Sequence, residues 1–208
     1  MQYRRLALVA VLSLSAPAWS CRAETPEPVL QLSGGDFPDL IVHQPSFDEA
    51  GEPLPVACDQ IRAKRIDELD PLWKRSTDRI HLECEDLKAD DAGFDMVVTT
   101  VTAFLKEGMA QFAGQPLAEV RLMDSDLWGD HQYILQRPYQ ETREALKRFI
   151  ESRCRALQDD PDALVQNDCA LIESDEELYL QAGEIGGIWV HAEEGRPDRT
   201  VYAEAWSD

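Results

Sequence analysis

The chain opens on a short positive region, Arg4-Arg5, followed by an unbroken run of apolar or small residues from Leu6 to Ala16. This is the layout of a secretory signal. The run is shorter than the roughly 18 to 20 apolar residues a membrane-spanning helix needs, and no later stretch approaches that length. Residues 1–20 therefore read as a signal peptide. Export constrains everything downstream, because a chain delivered to an oxidising compartment, here read as the bacterial periplasm, folds with its thiols paired.

Cysteine parity refines the cleavage site. Of Cys21, Cys58, Cys84, Cys154 and Cys169, cutting after Ala18 would leave an odd thiol. Two solutions remain. Either Cys21 leaves with the signal after a cut at Ala23, or it becomes the first mature residue and carries lipid. Ala18-Trp19-Ser20-Cys21 resembles the lipobox of bacterial lipoproteins in its small residue before the cysteine, and departs from it in the bulk of Trp19. Membrane contact is expected only through such a lipid. The other four cysteines are expected to form two bridges, for which three pairings are open. Cys154 with Cys169 closes a short loop, which leaves Cys58 with Cys84, and the absence of a Cys-X-X-Cys pair speaks against redox catalysis.

Charge narrows the partner class. Forty acidic residues stand against 20 basic ones, a formal net charge of −20 that becomes −22 once Arg4 and Arg5, and no acid, are lost with the signal. Such a surface repels nucleic acid and anionic membrane and attracts cations at long range, so a basic protein is the expected partner. No Lys or Arg occurs between Ala156 and Gly195, a window that holds Asp159, Asp160, Asp175, Glu176, Glu177 and Glu194 among its acids. A solvated acidic loop would account for part of this field.

Residues 21–55 carry Pro26, Pro28, Pro38, Pro45, Pro53 and Pro55 with little periodicity and read as an extended tether, with an edge strand at Leu40-Ile41-Val42. Residues 56–208 read as a single acidic domain. A short helix is expected over Asp59–Leu69, ended by Asp70-Pro71. Ile80, Leu82 and Cys84 alternate with His81, Glu83 and Glu85, the period of a half-buried strand. Val97, Val101, Phe104, Leu105, Met109 and Phe112 recur at helical spacing up to Gly114 and predict a helix. Strands follow at Val120-Leu122 and Tyr133–Leu135, and a second helix over Tyr139–Leu157 buries Leu146, Phe149, Ile150 and Leu157. Three strands, Glu177–Gln181, Ile188–Glu193 and Thr200–Ser207, complete the chain. The expected class is α+β: two main helices packed on a mostly antiparallel sheet that ends in a C-terminal β-meander, with two disulfides.

The last hairpin carries the candidate site. An even loop, or a bulge, would gather Trp189, His191, Glu193, Tyr202, Glu204 and Trp206 on one face, aromatic anchors with carboxylates between them, as a surface for a basic and partly apolar partner requires. The alternative buries Trp189 and Trp206 under a helix and turns the alanines outward.

Catalytic patterns are missing. There is no Gly-X-Ser-X-Gly elbow, Ser-X-X-Lys, His-Glu-X-X-His or phosphate-binding glycine loop, and no cofactor is expected. Asp124, Asp126, Gly129 and Asp130 faintly resemble a calcium loop, but Trp128 and Leu135 occupy ligand positions, and the pairs His81/Glu83 and His191/Glu193 supply only two ligands each, so no metal is expected. Three functions remain: an exported inhibitor or immunity-type protein that neutralises a basic secreted hydrolase or toxin, an exported enzyme working through a carboxylate or His site, and a structural envelope lipoprotein. Small exported immunity proteins resemble the chain in size and layout, and the balance favours a binding role over an enzyme.

Overall fold

The computed structural model describes residues 29–34, 37–52, 54, 56–88, 95–125, 128–158, 171–182 and 186–207. The signal, Cys21, Asp126, Cys169 and the acids at 159–168 lie outside the described residues.

In chain order the elements are β1 (Leu30–Leu32), β2 (Ile41–His43), β3 (Ile61–Ala63), α1 (Pro71–Ser76), β4 (Thr77–Lys88), β5 (Asp95–Leu105), β6 (Ala110–Phe112), β7 (Gln115–Asp124), β8 (Trp128–Leu135), α2 (Tyr139–Gln158), β9 (Ile172–Glu173), β10 (Glu177–Ala182), β11 (Gly186–Glu193) and β12 (Arg196–Ser207). Among the described residues the protein is mostly sheet with two α-helices. One large mixed sheet runs β9-β10-β11-β12-β8-β7, and β7 continues to β5 and β4 along its second half and to β6 and β1 at its start. Among the described residues only β1 with β6 pairs parallel within it. β9 to β12 form the expected C-terminal meander.

Cross-strand registers assign two faces. On the inner face Ile80, Ala103, Val120, Tyr133, Tyr202, Val190 and Leu178 stand side by side across seven strands. All but Ile80 are buried. α2 lies on this face: Phe149 packs edge-on to Tyr202 at 5.8 Å between centroids, and the Thr142 and Thr200 hydroxyls share a buried hydrogen bond of 2.9 Å. Leu146, Ile150 and Cys154, four residues apart, form its buried stripe. The same side receives the proline-containing leader, in which Leu30, Leu32 and Leu40 are buried and Phe37 stacks on His131 at 4.5 Å.

The first expected main helix is not formed. Residues 97–105 belong to β5, and β6 carries Phe112 back to β7 through the two-residue turn Ala113-Gly114, both at positive φ (49° and 74°). That is the primed geometry whose twist suits a tight hairpin. The run Val97-Val98-Thr99-Thr100-Val101-Thr102 decides the outcome, because β-branched side chains fit a pleated surface better than a helix. Asp70-Pro71 begins a helix rather than ending one. The Asp70 carboxylate accepts hydrogen bonds from the Leu72 and Trp73 amides (2.9 and 3.1 Å), and Pro71 occupies the first helical position, where its missing N–H costs nothing. Residues 58–68 form instead two single turns of tight helix with β3 between them.

One disulfide is established, Cys58–Cys84, with Cα atoms 5.6 Å apart. It ties the segment before β3 to β4, which among the described residues pairs on one side only, and the Cys58 amide also donates to Asp86 on that strand at 3.1 Å. The link spans 26 residues. Loop-closure entropy makes such a link worth about 3 to 4 kcal/mol. The double variant Cys58→Ser/Cys84→Ser should lose that amount in urea unfolding, and a loss under 1 kcal/mol would show that the segment is held by packing alone.

Candidate functional site

The hairpin of β11 and β12 turns at Glu194-Gly195, where Glu193 pairs with Arg196. Continued without interruption, that pairing would set Ile188 opposite Val201 and put the six expected site residues on one face. The ladder does not continue so. Between Glu193 and Ala192 the register shifts, Ala192 pairing with Thr200, and Pro197, Asp198 and Arg199 are looped past. Pro197 cannot donate to a ladder, which suits it to an irregularity. An odd number of extra residues exchanges the faces of β12. Trp189, His191 and Glu193 therefore stand on the outer face, while Tyr202, Glu204 and Trp206 stand on the inner one.

Of the inner three, Tyr202 and Glu204 are absorbed by structure, while Trp206 stays 38% exposed. Tyr202 is fully buried, its hydroxyl donating to Glu204 at 2.8 Å, and burial pushes its ionisation up to about 12. Glu204 also accepts from Arg153 of α2. Trp206 covers Gly129, whose missing side chain leaves room for the indole (a Cβ there would stand 2.0 Å from the ring), and meets His131 edge-on at 4.6 Å. Burial holds His131 below the usual imidazole range.

The outer face carries a row that spans the sheet: His81, Thr102, Arg121, Gln132, Ala203, Trp189, Tyr179 and Ile172 are successive cross-strand neighbours. The small outer core, Ile134, Val201 and Ala203 with Trp189 packed on it, comes entirely from β8, β11 and β12. No described residue outside the sheet joins it. Towards the end of the row the surface turns aromatic and apolar. Tyr179 and Trp189 lie 5.0 Å apart at 33°, both over Gly187, and Ile172 beyond them is 62% exposed.

Beside the row sits an ionic cluster. Glu119, only 5% exposed, accepts from Arg121 at 2.7 Å and from Arg199, while Glu193 accepts from Arg121 at 2.6 Å and lies 3.7 Å from Arg199. Two carboxylates and two guanidinium groups thus neutralise one another, so Glu193 is spent internally. The Nδ1 of His191 meets the Ala192 carbonyl at 2.8 Å. Asp130, one row away, accepts from the Gln132 amide at 2.7 Å, and burial raises its ionisation against that hydrogen bond and the His191 charge.

Of the six residues expected on one face, Trp189, His191 and Glu193 stand on the outer face, beside Tyr179, Ile172 and Glu177, which faces His191 across the strands. The alternation of Leu178 and Leu180 with Tyr179 was the sequence signal for Tyr179. His81 and Glu83 are exposed on the same strand face, with Nε2 to Oε1 3.2 Å. Gly129 and Asp130 lie in the β8 ladder rather than in a loop, and among the described residues no group of three His, Cys, Asp or Glu is placed to hold a metal. Comparison with protein-family models finds no match, and comparisons with curated proteins and with solved structures likewise find none.

Proposed function

We propose that the protein is an exported acidic binding protein of the inhibitor or immunity type, which neutralises a basic secreted hydrolase or toxin by covering it. The observation that carries this reading is the aromatic, apolar end of the outer sheet face, where Tyr179 and Trp189 are half-buried and Ile172 is 62% exposed, on a chain with net charge −20. Uncovered apolar surface of this kind marks interaction sites, and the charge selects a cationic partner and speeds encounter. In this reading Cys21 carries lipid, and Cys154, buried on α2, bridges to Cys169. Because β1 is docked from Leu30, an extended leader from Cys21 would reach about 30 Å at most. The domain would then stay close to the membrane.

The test is capture from the exporting cell's envelope and medium at two ionic strengths. A specific basic protein should be retained at about 50 mM salt and bound about tenfold or more weakly at 500 mM, as screening shortens the reach of charge. Retention that is indifferent to salt, or no retained protein, would refute the reading.

A further inference from the structure

We infer that the partner is anchored at one end of the outer face, on Ile172, Tyr179 and Trp189, and that the occupant is a basic protein surface presenting an apolar side chain flanked by Lys or Arg. This deepens the proposed function and rests on it. The three side chains are successive neighbours on β9, β10 and β11. Their support is rigid: Trp189 packs on buried Ile134, Val201 and Ala203, and both rings cover Gly187, where a Cβ would stand 2.9 Å from each. Aromatic rings fixed before binding lose little entropy on contact, a property of interface anchors. Ile172 keeps most of its side chain in water and gains by being covered.

The charge around the anchor states what covers it. The cations ion-paired near the anchor are matched, Arg121 and Arg199 by Glu119 and Glu193, and Arg143 and Lys147 by Glu173 next to Ile172, whereas Glu176 and Glu177 beside Tyr179 stand exposed. An occupant must bring apolar area to the rings and positive charge to this rim. A second copy would bring −20 against −20 and is disfavoured by repulsion.

The test uses two synthetic β-hairpin peptides of equal positive charge, one with a leucine and tryptophan face and the other with serine in those places. Calorimetry at low salt should find the apolar-faced peptide bound about tenfold or more tightly by the full chain. Trp189→Ala and Ile172→Ser should each erase that difference while leaving the serine-faced peptide's affinity unchanged. Ile172 is exposed, so its variant stays folded whatever happens to Trp189→Ala. If the preference survives both substitutions, the anchor lies elsewhere and the basic-partner reading stands. Absence of salt-dependent binding to either peptide would remove that reading as well. Self-association abolished by Ile172→Ser would make a second copy the occupant and overturn the inference.

Discussion

Replacing Arg199 by alanine is expected to destabilise the protein by about 2 to 3 kcal/mol, the cost of taking one of two charged hydrogen-bond partners from a buried carboxylate. Glu119 is that carboxylate, and it keeps Arg121 at 2.7 Å. Burial alone would raise its ionisation, but the hydrogen bonds from Arg199 and Arg121 outweigh that and hold the carboxyl below the usual glutamate range. The sign of the pH dependence follows. With the folded value below the unfolded one, near 4.3, the cluster's stabilisation is complete above the unfolded value and is lost as pH falls through the folded one. Without Arg199 only Arg121 opposes burial, and Arg121 is shared with Glu193. The folded value should rise, and acid unfolding should begin at higher pH than in the parent. Urea titrations at pH 7 and pH 4 read both effects. An unchanged pH profile together with a loss below 1 kcal/mol would mean that water screens the cluster.

The same cluster shows what the sequence could and could not reveal about the site. Alternation made each strand of the meander visible, and the spacing of Leu146, Phe149 and Ile150 made α2 visible, because each pattern has one period and one buried side. The pairing of faces across β11 and β12 is not a property of either strand. It depends on three residues, Pro197 to Arg199, looped past inside an otherwise regular hairpin, and one residue fewer would have preserved the expected face. Glu193 reads as a surface carboxylate until Arg121, 72 residues away, is brought beside it.

Residues 97–112 misled for a different reason. Phe104 lies on the outer face of β5, under the Arg79 guanidinium at 3.9 Å from its centroid, while Val101 and Leu105 face inward. A strand with apolar residues on both faces has no clean period of two, and the remaining spacing imitates a helix. Composition was the better guide, since the β-branched run agrees with the strand that forms.

Phe112, which the helical reading would have placed on a helix, supplies the second large effect. Phe112→Ala should cost about 3 to 5 kcal/mol, the range for truncating a buried aromatic ring. The ring is fully buried against Tyr133 at 4.2 Å, Tyr202 at 4.6 Å and Phe149 at 5.2 Å, so it joins β6, the central strands and α2. It also pairs with Leu32, and the Ala113 amide donates to the Leu32 carbonyl, so the leader should loosen along with the core. Calorimetric unfolding measures the first effect and hydrogen exchange at β1 and β6 the second. A loss under about 1 kcal/mol would mean that neighbouring side chains collapse into the space. Trp189→Ala supplies the contrast on the other face of the sheet. Trp189 is only half-buried and sits on the small outer core, so its removal should cost clearly less stability than loss of Phe112 while abolishing the preference for an apolar-faced basic partner. If the two substitutions instead lowered stability equally, the outer aromatic pair would be structural packing, and the docking role would fall with that result.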